Sequence, residues 1–383
     1  MLKTRSPGLR LALAGALTLV ALPALAADTL RVAIGFPPGG RGDTLYQNFV
    51  QHLDEYSDGT LTGKVYPLNL LSFKESLPGL RDGIADVALV PSPYFPSELP
   101  VTNLLHELVG LGEVRAEDKD VGAMALIGAI NEYMLLECEA CWSEAAAHNQ
   151  VALNAGTSSR YNLLCAKPVY TAEQLEGVRI RAGGSFYARW VKAMGATPVT
   201  MSGNEEFEAL SQGVLECTTN APYALEEFGL AEVAPFINTS FPGGGSYSDL
   251  ANVNLDAWRG LDDAQRKAML HAAADLSAEL YWSFREGDKS GVKKALSYGG
   301  EIRAADPELV AKSEAYLQSD LQAIVENYRD NRGVETAPEI YARLTELFDR
   351  WVPLVENVTG AEEMSEVLWR EVHSRVDPAA YGL

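Results

Sequence analysis

Leu30, Val32 and Ile34 alternate with other residues, the period of two that marks a strand with one face buried. The loop Phe36-Pro-Pro-Gly-Gly-Arg-Gly-Asp43 follows, and Asp43 is the expected cap of a helix that lines up Leu45, Phe49 and Leu53. A second strand is expected around Gly63-Lys-Val-Tyr-Pro67. Ser72-Phe-Lys-Glu75 reads as a capping box opening a helix through Leu77 and Leu80, with Gly83 ending it. Residues 85–90, Ala-Asp-Val-Ala-Leu-Val, are apolar enough to be covered on both faces, as in a parallel sheet. Strands and helices alternating through short links predict an α/β fold. Tyr94 and Phe95 come directly after the third strand, at the carboxyl end where open α/β sheets place ligands.

A helix near Val121–Met134 leads into a second round of the same pattern. Strands are expected at Val151–Leu153, in GVRIR (residues 177–181), at Thr197–Met201 and at Leu215–Asn220. Helices carry Phe186, Trp190 and Met194, and then Phe207, Leu210 and Val214. Beyond Trp258 the pattern turns helical, with a cap at Asp262 and Gln265 and a stripe through Met269, Ala273, Leu276, Leu280 and Phe284. The expected division is a first α/β domain over residues 27–150, with roughly 246–285 returning to it. A second takes 151–245 with part of 286–383, and 300–383 forms a helical extension that packs across both or makes a dimer contact. Gly243-Gly-Gly-Ser-Tyr247 reads as a loop.

Residues 1–26 stand apart. Lys3, Arg5 and Arg10 precede an apolar run and Ala24-Leu25-Ala26, the layout of a signal peptide, so the mature chain is expected free in a periplasm. Setting those three bases aside takes the formal charge from −21 to −24, which disfavours nucleic acid and anionic membrane as partners. An anionic ligand would need a few well-placed cations against this field.

Four cysteines suit an oxidising compartment. Cys138 and Cys141 form either a structural bridge or a thioredoxin-like redox pair, and Cys165 with Cys217 offers a second bridge. The five histidines show no metal spacing and no Gly-x-Ser-x-Gly turn is present, so neither metal nor cofactor is expected. What does stand out is Arg181, delivered by a strand into Gly183-Gly184. A guanidinium meets a carboxylate with two parallel hydrogen bonds, and bare glycines would let the next helix's amino end approach the same anion.

The stretches GKVYPLNLLSFKESLPGLRDGIADVALVPSPYF (63–95), LEGVRIRAGGSFYARWVKAMGATPVTM (175–201) and EFEALSQGVLECTTN (206–220) resemble, in order, the C4-dicarboxylate-binding subunits of tripartite ATP-independent periplasmic (TRAP) transporters. The resemblance implies two α/β domains bridged by long helices, as in type II periplasmic binding proteins. Such a protein clamps an organic acid and hands it to an ion-driven membrane permease. It assigns carboxylate binding to Arg181, an orienting role to Asn220, and a second cation to Arg160; Arg160, Arg41 and Tyr94 are expected to line the cleft. This chain departs from the pattern at Gly203, where an aromatic residue often closes the site, which suggests a roomier or differently shaped pocket. It departs again at Glu216-Cys-Thr-Thr-Asn220, where Asp-Gly-Gln-Glu-Asn is usual. The alternatives are a receptor for an ATP-driven importer, and a periplasmic thiol-disulfide or hydrolytic enzyme.

Overall fold

Two six-stranded sheets organise the chain. The computed structural model describes residue 2, residues 28–239 and residues 243–383; apart from residue 2, the expected leader lies outside the described residues. The strands are β1 Asp28–Ile34, β2 Leu61–Pro67, β3 Val87–Val90, β4 Gln150–Ala152, β5 Ala155–Thr157 and β6 Asn162–Cys165. They continue with β7 Arg179–Ala182, β8 Thr197–Thr200, β9 Cys217–Asn220, β10 Phe236–Asn238, β11 Tyr247–Asn254 and β12 Glu301–Arg303. The first sheet runs β2-β1-β3-β11-β4, with β5 also on β11. The second runs β12-β10-β6-β9-β7-β8.

The parallel core expected from the opening pattern is present, since β1 pairs in parallel with β2 and β3. β11 then enters antiparallel to β3, β4 and β5. All eight of its residues are buried although its sequence, YSDLANVN, is half polar. Some of those polar groups find partners inside: Asn252 donates to Gln150 and Asn254 to the Leu80 carbonyl. In the second sheet β7 is flanked in parallel by β8 and β9, which holds Arg181 opposite Val199 and Thr218. We call each sheet with its helices a lobe.

Several helix starts differ from the expected ones. The first helix spans Arg41–Tyr56 and begins ahead of Asp43, whose carboxylate instead accepts from the Gly39 amide at 2.8 Å. The helix Glu206–Ser211 buries Glu206, Ala209 and Leu210 and leaves Phe207 and Val214 of the expected stripe exposed. The capping box at Asp262 and Gln265 is formed and opens a 35-residue helix, Asp263–Ser297, about 52 Å long at 1.5 Å per residue. It packs on the Arg41–Tyr56 helix and on β5 of the first lobe, and further along on the Ala224–Glu227 helix of the second.

The C-terminal helices Pro307–Asn331, Ala337–Val355 and Ala361–Glu371 spend their apolar stripes within the chain. Trp351 lies against Gly128 of the helix Lys119–Leu136 and donates its indole N–H to Glu132 at 2.7 Å. The helix Pro307–Asn331 touches both lobes. Arg189 of the second lobe lies between Asp320 at 3.0 Å and Glu107 of the first lobe at 2.7 Å. Among the described residues no single helix is long and apolar enough to cross a membrane.

Both cysteine pairs are disulfides. Cys138 is bonded to Cys141, and Cys165 to Cys217 across the directly opposed positions of β6 and β9.

Candidate functional site

Strand β7 carries Arg181 into a cavity between the lobes. Its guanidinium is almost wholly covered, at 2% exposure, and is held from several sides. Nε donates to the Met201 carbonyl at 3.1 Å and Nη1 to the Thr219 carbonyl at 3.2 Å. Nη2 donates to the Tyr94 hydroxyl at 2.9 Å, across the gap between lobes. Tyr94 Oη also accepts from the Gly203 amide at 3.0 Å, which leaves its own proton free to donate.

Behind the arginine lies a carboxylate. Glu206, fully buried, pairs with Arg181 at 2.7 Å. Asn220 donates to both Glu206 oxygens at 3.1 and 3.0 Å, and its own oxygen accepts from the Ala221 amide. Burial opposes the charge on Arg181, but Glu206 together with the Tyr94 and Tyr161 side chains more than offsets it and holds the guanidinium protonated. Burial raises the Glu206 carboxyl above its ordinary range, against the pull of Arg181, Asn220 and Thr218.

The rest of the cavity is aromatic and hydroxylic. Phe36, Phe73, Tyr161, Tyr223, Phe228 and Phe284 wall it, and Ser158, Ser246 and Ser248 add hydroxyls. Phe36 meets Phe73 edge-on at 5.2 Å and Phe284 at 5.5 Å, while Tyr223 stacks on Phe284 at 4.0 Å. Burial raises the Tyr161 hydroxyl to about 12, so it faces the cavity as a neutral donor. Among the described lining residues Arg181 alone carries a charge. The cavity measures about 60 Å³. Of the two expectations from Gly203, a roomier or a differently shaped pocket, the first is not met in the closed cavity. A Cβ at Gly203 would sit in ordinary contact with Glu206, Arg181 and Phe73, and the aromatic walls take up the space.

Of the residues singled out from sequence, Arg181, Asn220 and Tyr94 meet at this cavity; the others do not. Arg160 turns to Glu113, at 2.8 Å, and is 40% exposed outside the cavity. Arg41 reaches Ser290 Oγ at 3.2 Å and borders a separate crevice with Pro37, Pro38 and Glu227. Gly183 and Gly184 line a different small cavity beside Pro93, His106 and Glu107. Their bareness has another use than the one expected. A Cβ at Gly183 would lie 2.9 Å from the Arg181 nitrogens, and one at Gly184 would lie 3.0 Å from Pro93 of the first lobe. The glycines make room for the guanidinium and for the facing lobe.

Sequence reasoning missed Glu206, the aromatic walls and Glu227. Glu227 accepts from the Arg41 and Gly42 amides at 2.8 and 3.0 Å, so a second-lobe carboxylate caps the first helix of the first lobe.

Ser92, His106 and Asp249 form a row. Ser92 Oγ meets His106 Nδ1, and His106 Nε2 lies 3.5 Å from Asp249. The His106 and Asp249 side chains are 0% and 3% exposed and Ser92 is fully buried; none of the three lines the cavity at Arg181, and Asp249 borders a separate cavity of about 390 Å³ with Trp142, Gln150 and Tyr381. Cys138 and Cys141, bonded to each other, are also buried.

The family model for bacterial extracellular solute-binding protein, family 7, matches residues 130–327, just over half the chain. A solute-binding protein of Albidiferax ferrireducens is 26% identical over 226 residues, covering 56% of this chain; the chain spans 62% of that relative's length. A TRAP periplasmic solute-binding protein of Chromohalobacter salexigens, solved with bound D-glucuronate, is 21% identical with a TM-score of 0.65, covering 84% of this chain and 99% of that one. One from Bordetella bronchiseptica, solved with bound (R)- and (S)-mandelate, is 20% identical with a TM-score of 0.68, again covering 84% and 99%. These two likenesses establish the fold, two lobes around a cleft.

Proposed function

The chain belongs to the bacterial extracellular solute-binding proteins of family 7, and from that premise we propose that it captures a small organic carboxylate between its lobes and presents it to a TRAP permease outside the cytoplasm. The observation that carries this reading is Arg181, a lone cation in an otherwise aromatic and hydroxyl-lined cavity between the two sheets. The frame is the domain division given above, with residues 246–285 returning to the first domain and the long helix serving both. Both related structures described above hold organic acids, D-glucuronate and mandelate, in the same fold.

The chemistry is recognition. An incoming carboxylate takes hydrogen bonds from an Arg181 nitrogen and from the Tyr94 and Tyr161 hydroxyls, while the phenyl rings cover its carbon body. Charge-assisted hydrogen bonds contribute about 1.5–3 kcal/mol each, and micromolar affinity needs about 8 kcal/mol. The arginine alone is insufficient, and burial of apolar ligand surface at about 25 cal/mol per Å² supplies the rest. Ligand pockets commonly measure ~300–1,000 Å³. The closed lobes offer about 60 Å³, so Tyr94 and Phe73 must draw back from Arg181 to admit a ligand. That motion is hinge opening.

A thermal-shift series with benzoate, mandelate, glucuronate and succinate tests the reading, since a ligand that binds only the folded state raises the melting temperature. At least one acid should raise it, and Arg181→Lys should weaken that acid's binding tenfold or more, because an ammonium cannot keep the forked contacts. An equal response in both proteins would remove Arg181 from the site.

A further inference from the structure

Glu206 does not line the cavity, yet it governs the charge there. Its carboxylate pairs with Arg181 Nη1 at 2.7 Å and is fixed by two hydrogen bonds from Asn220. The pair is net neutral and buried. No other charged side chain lines the cavity among the described residues, and Arg160 and Arg41 are engaged elsewhere.

Building on the carboxylate reading above, we infer that Glu206 is a specificity-determining positioning residue that restricts the site to acids with a single carboxylate on an apolar body. The argument is a balance of charge. One ligand carboxylate can share Arg181 with Glu206, aided by the Tyr94 and Tyr161 hydroxyls. A second would enter a cavity walled by Phe36, Phe73, Phe228 and Phe284 with no cation to meet it. An unpaired buried charge is among the costliest groups a protein can hold. The same balance lowers the attraction for the first carboxylate, since Glu206 already offsets part of the arginine's field. Removing that anion while keeping the side chain's shape leaves Arg181 uncompensated, and dianions then gain more than monoanions do.

The test compares matched acids, benzoate with isophthalate and butyrate with succinate, by isothermal titration on the mature protein and on Glu206→Gln. The wild-type protein should bind the monocarboxylate of a pair at least tenfold more tightly. In Glu206→Gln the ratio should move at least tenfold toward the dicarboxylate, while the ligand-free protein melts at a lower temperature. A residue that only supports the fold would weaken both acids together and leave their ratio alone, which would overturn the inference while sparing the carboxylate reading. Should the variant not fold, the wild-type protein decides: preference for the dicarboxylate overturns the inference, and preference for the monocarboxylate upholds the charge balance. If no acid binds either protein, the carboxylate reading itself falls and this inference goes with it.

Discussion

Arg181 was legible because two independent signs met on it, a strand running into paired glycines and an ordered resemblance around residues 175–201. Asn220 was legible through the second alone. Glu206 was not, because nothing in a glutamate's sequence context says that it will be buried; that depends on a partner 25 residues earlier, brought near by the pairing of β7 with β9. Arg160 shows the reverse case. A cation on a loop can reach any nearby anion, and Glu113, far off in sequence, was within reach.

Asp288 gives a prediction at the same scale. It accepts from the Ser159 hydroxyl and the Tyr223 amide, both at 2.9 Å, and burial raises its pKa to about 7. Because the folded value lies above the unfolded one, near 4, the folded state holds the extra proton between those two values. Its contribution is full at low pH and is lost as pH rises from about 4 to about 7. Asparagine keeps both accepted hydrogen bonds without the charge. Urea unfolding should therefore show Asp288→Asn more stable than wild type by about 1–3 kcal/mol at pH 8, with the gap closing toward pH 4.5. A constant gap across that range would refute the assignment.

Among the elements, β1 and the capped helix Asp263–Ser297 followed their periodicity, whereas the helix Glu206–Ser211 did not. β11 did not either, because four of its eight residues are polar and its pattern, YSDLANVN, keeps no regular period of two. It lies instead in mid-sheet, where neighbours satisfy Asn252 and Asn254. The aromatic walls were hidden for a related reason. Phe36, Phe73 and Phe284 come from three distant segments, and each fits a core stripe or loop on its own.

The contact between the helices Lys119–Leu136 and Ala337–Val355 depends on one missing methyl. A Cβ at Gly128 would lie 2.0 Å from the Trp351 ring, which is itself fully buried. Gly128→Ala should cost about 1–3 kcal/mol through overpacking, although alanine favours helix by about 1 kcal/mol. Chemical denaturation measures it, and a stabilised variant would mean that the two helices do not approach this closely.

At the scale of the molecule, closure rests on a line of polar contacts between lobes. Glu227 caps the Arg41–Tyr56 helix, Asn204 bonds the Phe73 amide and the Gly35 carbonyl, and Lys74 meets Glu205. Tyr94 completes the line at Arg181. Net contributions of about 1 kcal/mol each make the closed form favourable by only a few kcal/mol, an amount that a bound acid can exceed. The helix Pro307–Asn331, tied to both lobes through Arg189, Asp320 and Glu107, acts as a strap across the back.

The most direct test is a crystal structure of the protein grown with the acid that gives the largest thermal shift. The account predicts a ligand carboxylate oxygen about 2.7–3.2 Å from an Arg181 nitrogen, its carbon body among Phe36, Phe73 and Phe284. An acid seated anywhere else, with Arg181 still bonded only to Tyr94, Glu206, Met201 and Thr219, would contradict it.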